Sequence, residues 1–341
     1  MERDVRYCAT DDGGSIAYRT LGEGQPLVVT SRVLWSHLQL PPFREYHQAR
    51  SPEGLGRGLK IVLYDARGTG LSGRDSLDFS LDAQVHDLEV VVERLKLTRF
   101  AVFGALHGGA AAIAYVVRHP ERVSHLVLLG AYARGRDVRH AFRHFDSWAE
   151  RAHEQWEQYT LTIANSNTGF ADHEWARKLA SRFRESMTPE SVRAFLEAQQ
   201  AIDVTMLLPL VAVPTLVMQG ALPENMPQLE WSRELASKIP DAHFVTVANQ
   251  NWMSQGWTVE ETRVVEDFLG VSEPSVLPSG LTQREIEVLR LIVLGKSGRD
   301  IAAGLVLSQR TVERHVANIY RKTATHGRAQ LVGFALRRNL V

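Results

Sequence analysis

Cysteine is nearly absent: Cys8 is the only one in 341 residues. No intrachain disulfide is possible, and no cysteine cluster can hold zinc or an iron-sulfur centre, as suits a reducing compartment. Long apolar runs are missing too. The longest candidate, Gly108 to Val117, stops at Arg118 and His119, well short of the ~18 uninterrupted apolar residues a membrane span requires. The opening residues, Met1 to Arg6, carry neither the basic start nor the apolar stretch and cleavage site of a secretory signal. The expectation is a soluble, cytoplasmic protein with no membrane partner. The 13 histidines include no H-E-x-x-H or comparable ligand spacing, so no metal or other cofactor is expected.

Net charge is also zero, but this balance hides a division. From Leu281 to Val341 there are 11 basic and 4 acidic side chains, a balance of +7, which leaves −7 on the residues before. Such asymmetry suggests a polyanion-binding unit attached to something else. The length agrees, because single cores stop growing near roughly 250 to 300 residues, and a chain that is 44% apolar has material for a core. The break falls in VSEPSVLPSG, where Pro274 and Pro278 interrupt both helical and strand periodicity. The expected division is a first domain over 1–270, a linker over 271–280 and a smaller domain over 281–341.

In the first domain, short β-branched runs alternate with longer helical stretches: Leu27 to Thr30, Lys60 to Tyr64, Phe100 to Phe103, His125 to Leu129, Thr215 to Met218 and His243 to Val247. Near-continuous apolar runs of this length fit buried parallel strands. They imply a doubly wound α/β sheet with helices on both faces. Residues of about 132–209 lack convincing strands but carry apolar residues at helical spacing, as a helical cap over the carboxyl edge of the sheet would.

IVLYDARGTGLSGR (Ile61 to Arg74), VFGALHGGAAAIAYVVRHPERVSHLVLLG (Val102 to Gly130) and PTLVMQG (Pro214 to Gly220) together resemble the α/β-hydrolase family over most of Tyr7 to Gly270. The family's nucleophile sits in a G-x-S-x-G elbow between a strand and a helix. Here the stretch reads Gly104, Ala105, Leu106, His107, Gly108, so leucine stands at the nucleophile position. Asn251 stands where the resemblance places the general base. After Gly220 the acid is missing from Ala221, Leu222 and Pro223, with Glu224 one place beyond, and Thr30, Ser31 and Arg32 replace the usual His-Gly oxyanion loop. Loss of nucleophile or base costs on the order of 10⁶ in turnover, so the domain is expected to be catalytically silent by the family's mechanism.

A silent frame keeps its pocket. The resemblance places Arg32, Trp35, Leu106, His107, Asn251 and Trp252 around it, and the cap adds aromatic residues including Trp148. These seven are the candidate binding residues for a small, mostly apolar or aromatic effector. Phe142, Phe145, Trp156, Tyr159, Phe170 and Trp175 could line the pocket or pack the cap's own helices. His107 reads more readily as a pocket-wall or core histidine than as a base, and Asp65 and Arg67 as structural loop residues.

The second domain carries four helical patterns. Thr282 and Glu285 have capping-box spacing before QREIEVLRLIV, and Ser297 with Asp300 repeats the arrangement. Ser308 caps a third helix, about Gln309 to Lys322, and a fourth spans Arg328 to Arg338. Val312, Val316, Ile319 and Thr323 share one face, while Arg310, Arg314, Ala317 and Arg321 share the opposite one. A basic face with a small residue at its centre suits entry into the major groove. The whole of Leu281 to Val341 closely resembles the LuxR-type helix-turn-helix domain. In one departure, Thr323 and Ala324 replace the family's usual leucine and glycine, which is expected to loosen the helix end. Arg310, Arg314 and Arg321, around Ala317, are candidates for contacts to guanine edges or phosphates, and the flanking Glu313 and Asn318 for contacts to bases. Thr282, Ser308, Thr311, Lys322 and Arg328 are assigned to phosphates or caps.

The expectation is a transcriptional regulator with double-stranded operator DNA and a small-molecule effector as partners. The resemblance implies a homodimer on a roughly two-fold site. Two alternatives stay open: a bifunctional enzyme and regulator using His107 or Glu224 in non-serine chemistry, and a regulator whose large domain binds no ligand.

Overall fold

A computed structural model describes residues 4–31, 33–39, 58–141, 154–167, 170, 172–220, 227–247, 259–271, 281, 283–304 and 309–337. The chain divides into two compact units, Met1–Val271 and Ser272–Val341.

The first unit is built on an eight-stranded sheet. Its strands are β1 (Arg6–Ala9), β2 (Ser15–Leu21), β3 (Gly24–Val29), β4 (Gly58–Tyr64), β5 (Phe100–Ala105), β6 (Val123–Leu129), β7 (Thr215–Gly220) and β8 (His243–Val247). The order is β1-β2-β4-β3-β5-β6-β7-β8. β3 to β8 run parallel and follow the six apolar runs. β1 and β2 are antiparallel additions that the apolar pattern did not signal, since β1 has only four residues and β2 interrupts its apolar run with Arg19 and Thr20.

Around the sheet lie α1 (Leu81–Arg94), α2 (Gly108–Arg118), α3 (Gly135–Ala141), α4 (Trp156–Asn167), α5 (His173–Ser186), α6 (Pro189–Ala201), α7 (Pro227–Lys238) and α8 (Val259–Leu269). Alternating side chains along β5 explain the two layers. Phe100 and Val102 join Leu88 and Val91 of α1 and Ile113 of α2 in one core. Ala101 and Phe103 join Val265 and Leu269 of α8 in the other. Both faces of the strand are therefore apolar, which is why the sequence reads as a run and not as an alternation.

From α3 to α6 the described part of the expected cap is helical. Asp172 caps α5 by accepting from the Trp175 amide at 2.9 Å. Thr188 caps α6 in the same way, with Pro189 at its first position. The cap has its own core, in which Tyr159, Leu179, Phe183 and Phe195 meet Val33, Ala66 and Phe79 from below.

The second unit consists of α9 (Gln283–Val293), α10 (Gly298–Gly304), α11 (Gln309–Thr323) and α12 (Arg328–Arg337). Ile286, Leu289, Ile301, Val312, Ile319 and Leu331 fill its core. Ser297 and Asp300 form the reciprocal cap: the Asp300 amide donates to Ser297 Oγ at 3.2 Å and the Ser297 amide to Asp300 Oδ2 at 3.1 Å. Glu285 also reaches across to Lys322, 2.8 Å away, with its carboxylate almost fully buried.

The departure from leucine-glycine falls at the end of α11, where the chain closes as follows. Thr323 is buried and donates its hydroxyl to the Ile319 carbonyl at 2.7 Å, so its polar atom is satisfied within the helix. Ala324 then takes a left-handed conformation, φ +51°. The Thr325 amide closes back on the Tyr320 carbonyl at 3.1 Å, the geometry of a Schellman end.

Candidate effector site and nucleic-acid interface

Between β5 and α2 the chain makes a sharp elbow. Leu106 sits at its tip with φ +48°, left-handed backbone that costs a leucine on the order of 1 kcal/mol. The turn is tied down from both sides: the Leu106 amide donates to the Leu129 carbonyl at 3.0 Å, and its own carbonyl accepts from Gly109 at 3.1 Å. Gly104 makes the close approach possible, because a Cβ there would stand 2.8 Å from Ala112 Cβ and 2.9 Å from Gly109 Cα. Thr30, just after β3, donates its hydroxyl to the Gly108 carbonyl at 3.0 Å. The strained turn that would present a nucleophile is intact, and an aliphatic side chain occupies its tip.

His107 follows at the start of α2. Its ring packs edge-on against Phe195 and Tyr132, with centroids 5.1 Å and 5.9 Å away. Nδ1 meets the Tyr132 hydroxyl, which donates in turn to Gln199 Oε1 at 3.3 Å. Burial pushes the imidazole down to about 4, because this ring-lined environment disfavours its charged form. At neutral pH it is therefore an uncharged, weakly basic ring. Tyr132 also meets Trp231 of α7, 6.0 Å between centroids. A Cβ at Gly130 would stand 3.4 Å from Leu106 Cδ2 and 4.0 Å from Gln219 Oε1, which accepts from the Ser232 hydroxyl at 2.7 Å.

Of the seven effector-site candidates, the structure brings Leu106 and His107 together at the elbow. Trp35 closes the 3-10 turn Val33–Trp35, and its side chain lies outside the described part. Arg32, Trp148, Asn251 and Trp252 fall outside the described residues, as do Glu224, Phe142 and Phe145. Trp156 and Tyr159 stack on each other at 5.7 Å and meet Phe183, so these two cap aromatics pack their own helices. Phe170 is exposed and Trp175 is buried. Asp65 and Arg67 hold loops. Asp65 accepts from Ser36 Oγ and from the Leu38 and Leu71 amides. Arg67 pairs with the buried Asp87 at 2.9 Å and with Asp12 at 2.7 Å. Sequence reasoning passed over Tyr132, Phe195, Gln199 and Trp231, which come from three separate segments. Only Tyr132, just past the end of β6, had a positional signal.

On α11 the two expected faces separate. Val312, Ile319 and Thr323 are buried and Val316 is half-buried, whereas Arg310, Glu313, Arg314, Ala317 and Arg321 are exposed. Asn318 accepts from Arg321 at 3.1 Å, and Thr311 is half-buried at the start of the helix. Lys322 is engaged by Glu285. Arg328 donates to the carbonyls of Ile292 and Lys296 at 2.8 and 2.9 Å and so fastens the end of α9. Thr282 and Ser308 lie outside the described residues. Among the described residues there is no group of histidine, cysteine and carboxylate side chains able to hold a metal. No described helix is long and apolar enough to cross a membrane.

A mostly parallel sheet with a strand-elbow-helix turn under a helical cap, followed by a four-helix unit with one basic exposed face, defines a hydrolase frame joined to a DNA-binding module. The comparisons agree. The chain belongs to the α/β hydrolase fold family, which matches residues 43–252, and residues 279–335 match the bacterial regulatory proteins of the luxR family. The AB hydrolase superfamily protein YisY of Bacillus subtilis is 24% identical over 71% of this chain and 90% of its own length. The uncharacterized response regulatory protein YgeK of Escherichia coli K12 is 47% identical over 25% of this chain and 57% of its own length. A hydrolase from Pseudomonas aeruginosa PA01 superposes with a TM-score of 0.64 at 19% identity, over 78% of this chain and 98% of that one, a likeness of fold. The luxR-family module supports a transcriptional regulator.

Proposed function

We propose that the chain is a transcription regulator whose α/β-hydrolase unit binds a small, mostly apolar or aromatic effector without turning it over, while its luxR-family unit binds operator DNA. The observation that carries this reading is the elbow: its left-handed backbone is kept at Leu106 while the side chain it presents cannot attack a carbonyl. His107 does not replace the lost base, since a general base works best with a pKa near the operating pH and this ring is held at about 4. Arg32, Trp35, Leu106, His107, Trp148, Asn251 and Trp252 form the proposed effector site. The relatives named as hydrolases keep the enzymatic reading alive as the rival.

In the DNA-binding unit, Arg310, Arg314 and Arg321 are proposed to read base edges or phosphates around Ala317, with Glu313 and Asn318 at their flanks. Thr282, Ser308 and Thr311 would meet phosphates near the start of the helix. Lys322 and Arg328 contribute mainly by holding α11 and α9, given their partners inside the unit. A homodimer on a two-fold site and a cytoplasmic location complete the proposal, because paired recognition helices match palindromic half-sites.

Two measurements on the purified chain test it. In the first, activated aryl esters and thioesters are not hydrolysed above background, and Leu106→Ser brings no gain, because position 251 offers no imidazole to activate the serine. In the second, a thermal-shift screen of apolar and aromatic metabolites yields a specific ligand, and that ligand changes operator occupancy in a fluorescence-anisotropy titration. Enzyme-dependent turnover that disappears in His107→Ala would instead establish the rival.

A further inference from the structure

From Val204 to Pro214 the only polar residue is Thr205. This stretch leads from the end of α6 to β7 through a 3-10 segment, Thr205–Leu210, and its inward face explains part of that composition. Val204, Leu208 and Val211 are buried in the core that α1 and α2 share. The outward face should then be polar, as on an amphipathic surface segment, yet it carries Met206, Pro209 and Leu210. Met206 is 84% exposed and Leu210 59%. Side chains at i and i+3 eclipse in 3-10 geometry, which sets Met206 and Pro209 on one side with Leu210 next to them. Exposed apolar side chains scattered singly are ordinary, whereas a contiguous group marks an interaction surface. The segment is also held firmly. The Val204 amide donates to the Ala133 carbonyl at 2.9 Å, the Thr205 amide to Asp203 Oδ1 at 2.9 Å and the Val211 amide to the Leu208 carbonyl at 3.3 Å.

The charges that border the patch cancel. Arg134 donates to Thr205 Oγ1 at 3.4 Å and pairs with Glu234 and Asp137, each at 2.7 Å. Arg136 pairs with Asp203 at 3.3 Å, and Lys238 with Glu234 at 2.7 Å. A partner recognised by its charge, whether DNA or a strongly basic or acidic protein, would call for a rim of one sign. A two-fold contact instead sets the rim against itself, where a single sign would repel and a balanced rim does not. An apolar centre inside a polar rim is also the usual anatomy of a protein contact. We infer that Met206, Pro209 and Leu210 form the centre of an isologous contact between two copies of this chain. The inference rests on the reading of the chain as a homodimer and adds the surface through which the copies meet.

Sedimentation equilibrium of the full chain between roughly 1 and 100 μM should show a dimer. Met206→Glu/Leu210→Glu should weaken it by at least about tenfold, because each carboxylate would enter an apolar contact without a partner. Neither side chain belongs to the core, so the circular dichroism spectrum should stay the same. Cross-linking reads proximity directly. Cys8 is buried and its thiol is pushed up to about 11 by that burial, so it resists a bismaleimide and the unaltered chain serves as the blank. Met206→Cys should give a covalent dimer, and adding Leu210→Glu should abolish it. A dimer that persists unweakened in the double glutamate variant, or a dimeric Met206→Cys chain that does not cross-link, overturns the surface and leaves the homodimer standing. A wild-type chain that stays monomeric throughout the concentration range overturns both.

Discussion

Ala324 ends the recognition helix in a conformation that favours glycine, so Ala324→Gly should stabilise the DNA-binding unit. At φ +51° the alanine Cβ crowds its own backbone, at a cost of about 1–2 kcal/mol relative to glycine. Glycine returns part of that gain, roughly 0.4–1 kcal/mol, by enlarging the unfolded ensemble. The net expectation is about 0.5–1 kcal/mol. For a unit of this size that raises the melting temperature by roughly 2–8 °C, read by calorimetry on the full chain. Hydrogen exchange gives a local check. The Thr325 amide, bonded to Tyr320 across the helix end, should exchange about two- to fivefold more slowly, the same free energy expressed as a ratio. Ala324→Val should move both readouts the other way, because a β-branched side chain tolerates positive φ least. A lower melting temperature or faster exchange in Ala324→Gly would mean that the left-handed end does not persist in solution.

Two further outcomes follow from the same geometry. Lys322→Met should destabilise the second unit by about 1–2 kcal/mol in denaturant titrations, because it strips a cation from the buried carboxylate of Glu285, with a discount for the partial exposure of the lysine. Arg314→Ala should leave stability unchanged and weaken operator binding more than random-duplex binding, and equal losses on both duplexes would contradict a base-reading role. His107 sets a pH dependence in the first unit. The folded ring stays neutral down to about 4, while the unfolded one takes a proton below its ordinary 6.5. The stability it contributes is therefore present above pH 6.5 and is lost progressively towards pH 4, by up to ~3 kcal/mol. Thermal melts between pH 7 and 5 should show a shallower decline in His107→Gln than in the unaltered chain.

Much of this architecture is legible in local patterns, because the forces that set them act between near neighbours in the chain. β3 to β8 announce themselves by apolar runs, and α11 announces its two faces by helical spacing, since a buried strand or an amphipathic helix must carry its packing in its own residues. The replaced nucleophile is equally plain, because the Gly104-to-Gly108 turn keeps its glycines whatever stands at its tip. β1 escaped notice because a short edge strand is stabilised by its partner's hydrogen bonds and needs little pattern of its own, and β2 beside it because Arg19 and Thr20 interrupt its apolar run. Lys322, assigned from the sequence to phosphates or caps, also pairs with Glu285, 37 positions away, a contact that only the fold reveals. The polar thread from His107 through Tyr132 to Gln199 belongs to the same group: it joins an elbow, a strand end and a cap helix that no spacing rule connects. Periodicity reports which face of an element is buried. Which side chains from distant elements meet there depends on packing between those elements, and no single segment carries a pattern that records it.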